Sequence, residues 1–125
     1  MPEVYYGDAI CREKVGLLLT EMGFSEWLIP LQNIEEFRYE RKTGFVWIRQ
    51  RQKGVHRIED IGGRLIWFDY VITAYVSPKK VTQLTGVQAK QFIFWFILSE
   101  IYMDNPSPGQ ITIRTRSGNT VSFTL

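Results

Sequence analysis

Few residues of this chain are of a type and spacing that could make or break bonds. A serine hydrolase needs an activated serine beside a histidine. The only histidine is His56, flanked by Val55 and Arg57, and no Gly-x-Ser-x-Gly elbow occurs. A lone histidine in a short strand reads as a surface or hydrogen-bonded residue. The single cysteine, Cys11, falls on the apolar stripe of a helix and reads as a buried, inert thiol. One Cys and one His cannot build a structural zinc site, and Gly62-Gly63 lacks the spacing of a dinucleotide fingerprint. No metal and no cofactor is therefore expected. Asp69 and Glu100 are the carboxylates embedded in long apolar runs, and glycoside hydrolysis requires two facing acids. If both point inward, desolvation raises the pKa of one of them. The plainer alternative is that each marks where its strand emerges toward solvent. No catalytic residue is assigned, and ester hydrolysis using His56, Asp69 or Glu100 stands as the alternative to a non-enzymatic domain.

Binding chemistry is better represented. Trp47, Arg49 and Arg51 share a strand face, which is the make-up of a single-stranded nucleic-acid platform. Glu35, Glu36 and Glu40 lie in the neighbouring strand, however, and would pair with those arginines across a hairpin. With a net charge of only +2, no nucleic-acid partner is expected. The apolar alternative rests on Phe92, Phe94 and Phe96, together with Tyr70 and Ile72, while Glu100 and Tyr102 are suited to orient a polar group at the rim. That set describes a pocket for an apolar or amphipathic small molecule. A solidly packed interior is the competing reading of the same residues.

The elements that must position these groups start from Phe92 to Leu98, seven apolar residues in a row. Aromatic and β-branched enrichment favours a strand over a helix, and with both faces apolar the strand is expected in the middle of the fold. Before it, Ala9 to Met22 reads as a helix, with Asp8 as N-cap and Gly23 in the left-handed position after it. Cys11, Val15, Leu18 and Met22 form its apolar stripe. Phe24 to Leu31 is an ordered connection ending near Pro30. Strands are expected over 33–41, Phe45 to Gln52, Val55 to Ile61, Leu65 to Val76, Ile111 to Thr115 and Val121 to Leu125, with Val81 to Leu84 a short extended piece. Turns fall at 41–44, Gly62-Gly63, 77–80, 105–109 and 117–119. The expected fold is mainly β: an N-terminal helix packed on a bent, mostly antiparallel pseudo-barrel sheet of about seven strands. It occupies residues 1–125 as one domain, with the helix over about 9–22 and the sheet over about 33–125.

Apolar residues make up 45% of the sequence, enough for a core without disulfides. One cysteine fits a reducing compartment, and no apolar signal segment opens the chain, so a cytoplasmic location is expected. The apolar run is far shorter than the roughly 20 residues that cross a bilayer as a helix. Oligomeric state is open.

Thr43-Gly44-Phe45-Val46-Trp47, the run from Val81 to Lys90, Phe94-Trp95 and Glu100-Ile101 follow one another in an order and spacing that resembles the plant family called domain of unknown function 538. The likeness runs from about Ile10 to Phe123, and Leu84-x-Gly86-Val87-x-Ala89-Lys90 before an aromatic strand is its most specific part. Members often carry a proline and a glycine around Ser25 and Trp27, and Ser-Phe-Pro where this chain has Ser122-Phe123-Thr124. The resemblance implies a small antiparallel pseudo-barrel with an N-terminal helix. It implies no agreed activity: lipid binding, chlorophyll-linked roles, ester hydrolysis and stress responses are its themes. Protein interaction is the third reading.

Overall fold

The computed structural model describes residues 2–25 and 30–125, and places one helix against one antiparallel sheet of nine strands among them. In chain order these are β1 (Glu3–Tyr6), α1 (Asp8–Glu21), β2 (Ile34–Glu40), β3 (Phe45–Gln50), β4 (Gly54–Ile58), a 3-10 turn (Glu59–Ile61), β5 (Arg64–Ser77), β6 (Lys80–Gln91), β7 (Phe94–Met103), β8 (Gln110–Thr115) and β9 (Thr120–Thr124). The sheet runs β1-β2-β3-β5-β6-β7-β8-β9, with β4 paired to the part of β5 that β3 leaves free. Trp27, Leu28 and Ile29 lie outside the described residues.

Helix α1 starts one residue earlier than its capping pattern predicts. Gly7 takes the cap position at φ 96, and Asp8 is already helical. Its carboxylate accepts the Ile34 backbone N–H at 2.9 Å and so ties the helix start to β2. Gly23 adopts the left-handed conformation expected of it, at φ 87. The stripe of Cys11, Val15 and Leu18 is buried, and Met22 packs on the core at its end.

Period two explains β2, β3 and β5. Phe37 and Tyr39 on β2, Val46 and Ile48 on β3, and Ile66, Phe68, Ile72 and Ala74 on β5 all turn to the inner face and are buried. These, with inward residues of β6, β7 and β8 and the helix stripe, surround a common interior. The sheet therefore curls, as a twisted sheet this wide must if it is to bury one face.

The barrel expected from the sequence is not closed, and there are nine strands instead of about seven. No hydrogen-bonded pairing joins β1 to β9. Instead the 3-10 turn after β4 meets β9, where the ring of Phe123 lies 3.5 Å from the Cβ position of Gly62. Strand β1 escapes sequence reading because four residues are too few to display a period. Val81 to Leu84, expected as a short extended piece, belongs to the continuous strand β6. Gly86 (φ 81) sits inside a bulge where Asp69 to Ile72 of β5 oppose it alone. Glycine within a strand marks such a bulge as readily as a break.

The largest correction concerns the apolar run. Phe92 and Ile93 are the loop of the β6–β7 hairpin, closed by the Gln91–Phe94 pair. Strand β7 does lie between β6 and β8, but neither the loop nor the first residues of the strand are core: Phe92 is 87% exposed, Ile93 79%, Phe94 62%, and Trp95 and Ile97 39% each. Only Leu98 of the run is buried. The physical reason is length. Strand β8 stops at Thr115, opposite Leu98, so β7 from Phe94 to Ile97 runs on beyond it with a strand neighbour on the β6 side, and the Phe92-Ile93 loop projects from that end.

Candidate functional site

The interior is the first place to look for the expected pocket. It holds a cavity of about 70 Å³ with apolar walls that include Leu18, Phe37, Ile72, Val87, Leu98 and Ile111. Ligand pockets for small molecules run to roughly 300–1,000 Å³. A space this small is a packing defect, and the interior is close to filled.

The seven residues expected to line one pocket are dispersed. Ile72 faces the interior cavity. Phe96 joins Arg64, Gln91 and Phe123 at a shallow depression near the β9 edge. Phe92 and Phe94 stand at the exposed hairpin end, and Tyr70 is exposed where the β5 bulge turns it off the inner face. Glu100 and Tyr102 lie on β7 beyond the buried Leu98, with Tyr102 roughly 25 Å along the strand from Phe94. They serve each other: the Tyr102 hydroxyl donates to Glu100, which also pairs with Arg114 at 3.5 Å. That bond to the carboxylate, with some burial, pushes the Tyr102 phenol above its ordinary value.

What the fold does assemble is an apolar end around the β6–β7 hairpin. One cross-strand row runs Val55–Trp67–Gln88–Ile97 through β4, β5, β6 and β7, and the next contains the Lys90–Trp95 pair. Same-parity residues of neighbouring strands share a face, so Val55, Trp67, Trp95 and Ile97 form one outer patch running up to the Phe92-Ile93 loop, while Phe94 alternates to the opposite face with Phe96. Cations border it. Lys90 Nζ lies 5.9 Å from the Trp95 ring centre, and Lys53 Nζ lies 6.0 Å from that of Trp67 and 5.9 Å from that of Tyr70. The Arg116 backbone N–H donates to the Ile97 carbonyl, which sets that residue at the far side of the row. Ile93, Trp67, Lys53 and Lys90 were not among the residues singled out from sequence. The signal that could have found them is that Lys90-Gln91 gives the run a polar entry and no second face to bury against.

The bond-making candidates do not converge. The His56 ring tilts against Phe68 at 5.7 Å, and its side chain takes part in none of the hydrogen bonds among the described residues. Asp69 accepts its neighbour Tyr70's N–H at 2.7 Å. Asp69 and Glu100 lie on strands held apart by β6, Asp69 within the β5 bulge and Glu100 in register with Arg114. Cys11 is fully buried, donates weakly to the Tyr5 carbonyl at 3.3 Å, and burial pushes its thiol up.

The Trp47 face is occupied by its own charges. Arg38 lies 5.2 Å over the Trp47 ring and pairs with Glu36, while Arg49 bonds Glu35 at 3.0 Å and Glu36 at 3.2 Å. Burial alone would push the Glu36 carboxyl up, but the Arg38 and Arg49 hydrogen bonds outweigh it and hold Glu36 below the usual carboxylate range. A groove of about 400 Å³ beside it is lined by Pro2, Arg38, Glu40, Phe45, Trp47 and Tyr75. Its arginine is already paired, which leaves an open aromatic surface with little polar selectivity.

Comparison with known proteins gives one finding. A family model described as protein of unknown function, DUF538, matches residues 15–124. No curated protein and no solved structure matches the chain.

Proposed function

The chain belongs to the DUF538 family, and we propose that it acts as a non-enzymatic domain that binds an apolar or amphipathic molecule through its β6–β7 end. The observation that carries this reading is the exposure of three consecutive apolar residues, Phe92, Ile93 and Phe94, at the hairpin tip in which the Trp95, Ile97 and Trp67 face also ends. Isolated exposed hydrophobes are ordinary, but contiguous apolar patches mark binding surfaces. The binding face is the outside of the hairpin end, since the interior cavity of about 70 Å³ is too small for a lipid or a pigment. Aromatic side chains suit an amphipathic ligand because their faces take apolar groups while Lys53 and Lys90 take polar ones.

Titration with a monomeric lysolipid, followed by tryptophan emission, tests this. Trp95 and Trp67 flank the site, so binding shifts emission to the blue. The Ile93→Ser variant should weaken binding at least ten-fold, whereas Ile72→Val, which enlarges the interior cavity, should leave it unchanged. Binding lost with Ile72→Val and retained with Ile93→Ser would move the site to the interior and overturn the reading.

A further inference from the structure

We propose that the β6–β7 end docks on the anionic surface of a lipid bilayer, with Phe92, Ile93 and Phe94 entering the headgroup–acyl boundary and Lys53, Lys90 and Arg116 meeting the headgroup charge. This deepens the binding reading above and rests on it. Phe92 is disfavoured by its backbone as well as by water. It is the first residue of a two-residue hairpin loop and holds φ 57, where glycine, asparagine or aspartate is the comfortable choice. A bulky aromatic there costs conformational energy and, at 87% exposure, recovers none by burial in this chain. A turn alone does not need it.

The shape of the site selects the partner. The hairpin tip is convex, and its apolar side chains project from a backbone that is paired up to the Gln91–Phe94 closure. A projecting apolar wedge needs a medium that opens around it, as the bilayer interface does. Trp95 and Trp67, further from the tip, are the residue type that rests at headgroup depth.

Charge supplies the sign. Lys53, Lys90 and Arg116 border the apolar rows and form no ion pair among the described residues. The paired cations are elsewhere: Arg12, Arg38, Arg41, Arg49, Lys79 and Arg114 each hold a carboxylate. Asp69, two residues along β5 from Trp67, accepts the Tyr70 N–H. Long lysine and arginine stems reach past apolar surface to place their charge among headgroups. No helix among the described residues is long and apolar enough to cross a membrane, so the contact proposed is peripheral.

The test uses the purified chain with phosphatidylcholine vesicles and with phosphatidylcholine–phosphatidylserine vesicles, read by co-sedimentation and tryptophan emission. Binding is expected to the anionic vesicles, to weaken with added salt, and to fall roughly five-fold with Lys90→Ala. Phe92→Gly is expected to raise the melting temperature by relieving φ while weakening vesicle binding, a pair of opposite effects that a purely structural residue would not give. Lysolipid monomers bound through Ile93 without any vesicle binding would overturn the bilayer proposal and leave the binding reading standing. Neither monomer nor vesicle binding would overturn both. Self-association abolished by Ile93→Ser, with no vesicle binding, would overturn the proposal in favour of a second copy of the chain as occupant.

Discussion

Replacing Gly86 by alanine would place a methyl carbon 2.3 Å from the Val71 carbonyl oxygen and 3.3 Å from the Ile72 Cα. Carbon–oxygen contacts between adjacent strands ordinarily stand at about 3.3–3.6 Å. The β5 bulge and β6 would have to part by about 1 Å there, which stretches neighbouring ladder hydrogen bonds out of their useful range. Both atoms met are backbone, so no side chain can swing away. The φ of 81 adds a conformational penalty of about 1 kcal/mol or more. Together these predict a loss of roughly 3–5 kcal/mol, in the range reserved for broken backbone geometry. Gly118→Ala is the matched control, because Gly118 is also at positive φ (95) but would meet nothing within 4 Å. It should lose only about 1 kcal/mol. Urea unfolding of both variants, compared at a common slope, isolates the clash as the difference, roughly 2–4 kcal/mol. Equal losses at the two positions would refute the close approach of β5 to β6.

Burial contrasts predict that Phe37→Ala, at a site 2% exposed, costs about 3–5 kcal/mol, while Phe94→Ala, 62% exposed, costs less than about 1 kcal/mol. Urea midpoints would check both, and a large loss at Phe94 would return the hairpin end to the core. Acid should destabilise the fold in part through Asp104 and Glu36. Lys79 and the Gly109 N–H hold the Asp104 carboxyl below its ordinary value, and the arginines do so for Glu36. Lowered folded values mean stabilisation that is complete above the unfolded pKa of about 4 and lost as pH falls through the folded one. Asp104→Asn should therefore flatten the acid limb of stability against pH, and an unchanged limb would remove Asp104 from its cause.

Much of the sheet was legible because period two and turn chemistry are local. The alternation in 37–40 and over most of 64–77 and the glycine turns at Gly23, Gly44 and Gly62 needed no tertiary information, whereas the bulge that buries Ile34 on the same side as Phe37 did. The site was not legible for a related reason. An apolar run reports that side chains avoid water only if something covers them, and coverage depends on how far neighbouring strands extend. Phe92 to Ile97 has the composition of a buried strand and the position of a projecting hairpin, which only the register of β6 on β7 reveals. Parity puts Tyr70 on the inner face with Ile66, Phe68, Ile72 and Ala74, but it lies within the bulge opposite Gly86, where it alone of that row is exposed. Glu100 and Tyr102 share a strand face with Phe94 in sequence, but the irregularity near Ser99 and simple distance separate them from it.

An unclosed sheet leaves rims, and here they are short: β1 has 4 residues, β4 has 5 and β9 has 5. Such stubs are poor templates for adding a foreign strand. The stickiest side chains, meanwhile, sit on a hairpin interior to the strand order, where β6 and β8 already occupy the β7 backbone. Fibrillar growth needs exposed apolar side chains and an unpaired backbone in the same segment. By keeping the two apart, the chain can carry a greasy surface at working concentration without offering a seed for amyloid.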